Sequence, residues 1–220
     1  GGGKIATEIG RKLGIEPNYV NGRRVTDQPT LDLVTMVYGG LINKRVVAHL
    51  KSVGCNAIGL TGADGSIVPA RKREVNEIDF GFVGDVSSAD VNADLIKLLL
   101  HNNYVPVLAP LTHDREGSML NTNADTIARE VAQAMAPFMP VQLLYCFEKK
   151  GVLIDADDDN SVINSISAKD YTELKEKAII SGGMIPKLDN AFAALEKGVR
   201  KVIIGHADEL ADLLFAGACR

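Results

Sequence analysis

Apolar residues recur at Ile5, Ile9 and Leu13, a helical spacing that predicts a helix over Lys4 to Leu13. Gly1, Gly2 and Gly3 stand before it and read as a glycine-rich loop feeding a helix N-terminus. A second helical stretch is expected from Thr30 to Leu50, with Leu33, Val37, Leu41 and Val47 facing inward and Pro29 in its first turn. Ala57 to Leu60 is a short buried strand, and Ile67 to Val75 with Phe80 to Val83 reads as an extended hairpin. Asp90 to Asn102 is amphipathic, and Tyr104 to Ala109 is an apolar run of the kind found in buried parallel sheets. Helices follow at Asn123 to Met135, Ala168 to Lys177, Pro186 to Lys197 and Glu209 to Phe215. Strands are expected at Val141 to Phe147 and Lys201 to Ile204. Strands alternating with helices predict an α/β fold with a mainly parallel sheet. A boundary near Ala136-Pro137 divides it into lobes 1–136 and 137–220. Tyr104 and Phe138 are expected in the core.

Composition narrows the function classes. Apolar residues make up 46% and charged residues 24% of 220, the balance of a globular chain. A net charge of −4, no basic block and no Trp argue against a nucleic-acid surface. No apolar run approaches the roughly 20 residues that span a bilayer. Cys55, Cys146 and Cys219 are far apart, and His49, His101, His113 and His206 fall at no metal-ligand spacing. Free thiols in a reducing cytoplasm are the expectation. Asp155, Asp157, Asp158 and Asp159 lack the EF-hand spacing and read as a solvated loop.

Four segments carry chemistry. Gly1-Gly2-Gly3 would let backbone N–H groups approach an anion at a helix N-terminus, although a plain tight turn is an equal reading. Asn21-Gly22-Arg23-Arg24-Val25-Thr26 places an arginine fork beside a turn, suited to a carboxylate; in isolation a solvated Arg pair is the simpler reading. Leu120-Asn121-Thr122-Asn123-Ala124-Asp125 holds two amides and a carboxylate at a helix start, where capping needs only one. Ser181-Gly182-Gly183-Met184-Ile185-Pro186-Lys187 puts a lysine in the first turn of a helix, where it opposes the helix dipole unless an anion such as a phosphate is near; an ordinary exposed lysine is an equal reading.

Taken in order, with Gly59-Leu60-Thr61-Gly62-Ala63-Asp64-Gly65 and Gly81-Phe82-Val83-Gly84-Asp85-Val86 between them, these segments resemble the amino-acid kinase family, and within it the acetylglutamate kinases. The resemblance runs from Gly1 to about Lys187 and more loosely to Arg220. It implies a three-layer αβα sandwich. It also implies transfer of the γ-phosphoryl group of ATP, accompanied by Mg2+, to the γ-carboxylate of N-acetyl-L-glutamate in arginine biosynthesis. By the same resemblance Gly2 and Gly3 contact the acyl-amino acid through their backbone, and Arg24 and Asn121 hold its α-carboxylate. Asp125 orients the catalytic lysines, and Lys187 stabilises the transferring phosphoryl group. The nucleotide is expected at Glu148, Lys149, Lys150, Gly151, Val152 and Leu153 and at Ile179, Ile180, Ser181, Gly182 and Gly183.

The resemblance further implies a homodimer or higher homo-oligomer in the cytoplasm, with the Thr30 to Leu50 helix as the contact. In the family an initial strand ends in a Lys-x-Gly-Gly turn whose lysine is a second phosphate clamp. The numbered sequence opens at the glycines, so it is expected to begin inside a longer protein. Phe147-Glu148 stands where most relatives carry Thr-Asp, and the tail around Gly205-His206-Ala207-Asp208 matches poorly. The alternatives are a kinase of another carboxylate, such as N-succinylglutamate, and a ligand-binding module without turnover.

Overall fold

In the computed structural model Gly2 and Gly3 are helical rather than looped: α1 spans Gly2–Lys12. Ala6 and Gly10 lie on its buried face, and Gly10 fits because a side chain there would strike Leu33. The structure describes residues 2–20, 22–155, 157–177, 179–180 and 184–215. Ser181, Gly182 and Gly183 of the expected nucleotide segment lie outside the described residues, as do Gly1, Asn21 and Cys219. Two compact units divide the chain, Gly1–Ala134 and Met135–Arg220.

In the first unit a short hairpin follows α1, formed by β1 (Tyr19–Val20) and β2 (Arg23–Arg24). Gly22 sits at its turn with φ +74°, a conformation that favours glycine. The long helix expected over Thr30 to Leu50 has three parts in continuous succession: α2 (Gln28–Val34), a π-helical stretch (Thr35–Ile42) and α3 (Asn43–Ser52). Asp27 caps α2 by accepting the Thr30 N–H at 2.9 Å. The wide π turns disrupt the 3.6-residue repeat, and such turns are frequent at functional sites. Leu33 and Val37 are buried as the periodicity predicts, while Leu41 and Val47 are only half-buried.

Next comes β3 (Ala57–Leu60), followed by β4 (Arg71–Lys72), β5 (Gly84–Asp85), α4 (Ala93–His101) and β6 (Val105–Leu108). Then follow β7 (Leu111–His113), β8 (Met119–Asn121) and α5 (Ala124–Met135). β3 and β6 pair in parallel and carry α3 and α4. The expected hairpin partner Phe80 to Val83 is not the paired strand: the antiparallel pair is β4–β5, and β5 begins just beyond Val83. Pro69 has no N–H to donate to a ladder, and Ile67 and Val68 turn inward to the core instead. Ala6, Leu31, Leu33, Val34, Val37, Ala109 and Leu111 make one apolar cluster that fixes α1 and α2.

The second unit is built on β9 (Gln142–Phe147) and β10 (Lys201–His206), paired in parallel over six residues. Among the described residues the α-helices accompanying this pair are α6 (Ala168–Glu176), α7 (Met184–Glu196) and α8 (Leu210–Phe215). Ser167 and Asp170 form a reciprocal capping box at the start of α6. Val152, Tyr171, Ile180 and Leu188 form the buried cluster, and Tyr171 stacks on Phe192 with ring centroids 5.1 Å apart. Tyr104 and Phe138 are not core residues: they are 39% and 54% exposed. Each stands at the end of an element, where the chain turns to the surface. Helices mixed with parallel strands place the protein in the α/β class.

Candidate functional site

A cavity of about 460 Å³ opens in the first unit. Separate elements bring its walls together: Gly2 and Gly3 from α1, Arg24 from β2, Tyr38 from the π-helical stretch and Asn121 from β8. Of the expected acceptor-site residues, Gly2, Gly3, Arg24 and Asn121 therefore share one cavity. Gly2 and Gly3 lie in the first turn of α1, where backbone N–H groups have no partner within the helix.

Arg24 is 9% exposed. Its Nη2 donates to Thr7 Oγ1 at 2.9 Å, to the Gly3 carbonyl at 3.3 Å and to the Tyr19 hydroxyl. The guanidinium also lies 4.7 Å from the Tyr19 ring centroid. The Tyr38 hydroxyl stands nearby: burial pushes its pKa up, while the charge and hydrogen bond of Arg24 oppose that shift. Every one of these partners is neutral. Among the described residues no ion pair joins Arg24 to a carboxylate. A buried charge without a counterion is costly, so this arrangement suits an anion arriving from outside.

Asn121 donates through Nδ2 to Thr26 Oγ1 at 3.0 Å, and Thr26 in turn donates to the Arg24 carbonyl at 3.3 Å. The arginine and the amide are thus tied through one buried hydroxyl. Asn123, not its neighbours, caps α5 by accepting the Thr126 N–H at 3.0 Å. Asp125 lies in the first turn of α5, half-buried, between the cavity-lining residues Ala124 and Thr126.

Arg73 and Asp85, which sequence reading missed, also line the cavity and form an ion pair. Thr7, Tyr19 and Tyr38 were missed as well. The one sequence signal for Thr7 is its place one helical turn beyond Gly3, on the same face of α1.

In the second unit, Lys187 lies near the start of α7. Its ammonium is 5.4 Å from the Tyr145 ring centroid and 5.5 Å from that of Phe147. Two aromatic faces at the end of β9 thus accommodate the charge that the helix start disfavours. The expected nucleotide residues divide into two kinds. Glu148 and Lys150 are exposed, and Lys149 pairs with Asp159 at 2.9 Å. Gly151, Val152 and Ile180 are buried, and Val152 and Ile180 pack in the same apolar cluster. Their side chains serve the core, so only their backbone could face a ligand. Leu153 and Ile179 are half-buried, and Leu153 forms a bridge with Val162.

Among the described residues no group of three His, Cys, Asp or Glu side chains could hold a metal ion. Cys55 and Cys146 are free thiols. No helix among the described residues is long and apolar enough to cross a membrane.

Comparison with known proteins gives a consistent result. The acetylglutamate kinase of Parabacteroides distasonis is 57% identical over 210 residues, covering 96% of this chain and 82% of that protein. The acetylglutamate kinase of Phocaeicola vulgatus is 56% identical over 204 residues, covering 93% and 79%. Among solved structures, a Streptococcus mutans protein superposes with a TM-score of 0.78 at 30% identity, covering 92% of this chain and 78% of that one. The family model described as "Amino acid kinase family" matches residues 1–206. The chain therefore belongs to the amino acid kinase family.

Proposed function

We propose that this protein transfers the γ-phosphoryl group of ATP to the γ-carboxylate of N-acetyl-L-glutamate. The product is an acyl phosphate, and the step serves arginine biosynthesis in the cytoplasm. The observation that carries the reading is Arg24, a buried guanidinium with neutral partners on the wall of a cavity. It stands in a chain 57% identical to an acetylglutamate kinase.

The chemistry suits these residues. A γ-carboxylate has a pKa of about 4.3 and is ionised at neutral pH, so the nucleophile needs no general base. Phosphoryl transfer then depends on positioning and on neutralising charge at the equatorial oxygens. Arg24 and Asn121 take the α-carboxylate, with the N–H groups of Gly2 and Gly3 supporting the acyl-amino acid. Lys187 neutralises charge on the transferring group, and Asp125 keeps the lysine machinery charged and aimed. Nucleotide contacts are assigned to the segments after β9 and before α7; the first of these follows the carboxyl end of a parallel strand, where ligands of α/β sheets bind.

A Mg2+ ion would supply further charge neutralisation. The described residues offer no three-ligand cluster for it, so it fits as an ion carried by the nucleotide phosphates with at most one or two protein carboxylates. A homodimer or higher homo-oligomer is the proposed assembly.

ADP release tests the reading, measured with N-acetyl-L-glutamate, N-succinyl-L-glutamate, glutamate, aspartate and carbamate, and without acceptor. Turnover that requires an N-acylated glutamate supports the proposal, and the ratio of the two acyl substrates identifies the acyl group. Equal turnover with carbamate or aspartate, or none with any acceptor, contradicts it.

A further inference from the structure

We infer that Thr7 and Tyr19 are positioning residues that hold the Arg24 guanidinium in its ligand-binding pose while leaving its charge uncompensated. The inference rests on the assignment of Arg24 to the substrate carboxylate and extends it to two residues that act through that guanidinium, Tyr19 from the cavity wall and Thr7 from behind it.

Nη2 donates toward three acceptors, Thr7 Oγ1, the Gly3 carbonyl and the Tyr19 hydroxyl, which share its two N–H groups. The fork is therefore anchored at one corner. The Thr7 and Tyr19 hydroxyl oxygens are themselves 3.4 Å apart, so the anchor is a small network rather than separate contacts. The Tyr19 ring lies 4.7 Å from the guanidinium carbon and limits its rotation. Two successive elements supply these groups, α1 and the β1–β2 hairpin. Placement of Arg24 thus couples the start of α1 to that hairpin.

The choice of neutral acceptors matters as much as their position. A carboxylate at either place would fix the fork equally well, but it would also neutralise the charge and compete with an anionic ligand. Hydroxyl and carbonyl oxygens orient the arginine through their dipoles alone. A fork fixed in advance loses less freedom when the ligand binds, which raises affinity without new contacts.

The test is steady-state kinetics on the whole protein, with KM for N-acetyl-L-glutamate, KM for ATP and kcat measured separately. Thermal melting of each variant accompanies them. Tyr19→Phe removes the hydroxyl and keeps the ring, and Thr7→Val removes the other hydroxyl at nearly constant volume. Each is expected to raise the acceptor KM about tenfold, the scale of one hydrogen bond to a charged group. KM for ATP and kcat should stay within about threefold. Thr7→Asp should raise the acceptor KM about a hundredfold, since it introduces a competing charge. Thr7→Ser should recover most of what Thr7→Val loses.

A Thr7→Asp enzyme that melts normally and keeps its acceptor KM overturns the inference. So does a Tyr19→Phe enzyme in which kcat and both KM values fall or rise together. Arg24→Ala measured in parallel separates the two levels. If it raises the acceptor KM while the Thr7 and Tyr19 variants do not, the positioning role fails and the substrate assignment stands. If Arg24→Ala leaves the acceptor KM unchanged, both fail.

Discussion

Arg24 in the first unit and Lys187 in the second present two ways of holding a cation for use. Arg24 is buried, and neutral oxygens from α1 and the β1–β2 hairpin bond its planar fork at one corner. Lys187 is half-buried on α7, with its ammonium near the faces of Tyr145 and Phe147. A guanidinium cannot lose its proton and matches a carboxylate in two places at once, so a rigid setting suits it. An ammonium is a point charge on a flexible stem, and an aromatic wall restrains it without fixing its direction. The difference matches the two tasks in the proposed reaction, where one cation would recognise a ground-state carboxylate and the other would follow charge that moves during transfer.

Variants can break this contrast. The largest effect is expected from Lys187→Ala. Loss of one charge clamp on a transferring phosphoryl group is worth roughly 3–4 kcal/mol, so kcat should fall about 10² to 10³-fold with little change in the acceptor KM. A kcat within threefold of the parent would remove Lys187 from the chemistry. Arg24→Lys comes next. It keeps the charge and loses the fork, which should cost about 2 kcal/mol and raise the acceptor KM roughly thirtyfold. An unchanged KM would show that charge alone suffices there.

Phe147→Leu sharpens the other half of the comparison. Removing one aromatic face from Lys187 should lower kcat about two- to fivefold, in line with about 0.5–1 kcal/mol for an exposed cation–π contact. No change in kcat would make the aromatic wall a packing feature only.

An effect on stability rather than turnover concerns the scaffold of the second unit. The Tyr171 hydroxyl donates to Asp189 Oδ1 at 2.7 Å. Burial, with the Asp189 hydrogen bond and charge, pushes its pKa up to about 12 from an ordinary 10.0. A folded-state value above the unfolded one means full stabilisation below pH 10 that fades toward pH 12. Tyr171→Phe should cost about 1 kcal/mol at pH 8 in chemical denaturation. The gap between parent and variant should close as the pH rises from 10 to 12. A gap that stays constant over that range would mean the hydroxyl contributes nothing through its proton.

Much of the fold was legible in the sequence where periodicity was strong. β3 begins and ends where the apolar run Ala57 to Leu60 does, and α4, α5 and α7 match their patterns to within a few residues. The π-helical stretch was not legible, because Gly39-Gly40 and the wider turns leave no 3.6-residue repeat to read. The hairpins β1–β2 and β7–β8 have strands of two or three residues, too short to show alternation.

The site divides in the same way. Arg24 and Asn121 were singled out because they sit in segments resembling a family, and both line one cavity. Thr7, Tyr19 and Tyr38 bring hydroxyls from separate elements, and no local motif marks them. Val152 and Ile180 fell within the expected nucleotide segments, yet burial assigns their side chains to the core.

Equilibrium binding of N-acetyl-L-glutamate in the absence of nucleotide tests the division of labour most directly, by calorimetry on the parent, Arg24→Ala and Lys187→Ala. If Arg24 is held ready before any ligand arrives, the acceptor binds without ATP, Arg24→Ala weakens binding at least thirtyfold, and Lys187→Ala leaves the Kd within about threefold. Equal weakening by both substitutions would contradict the account.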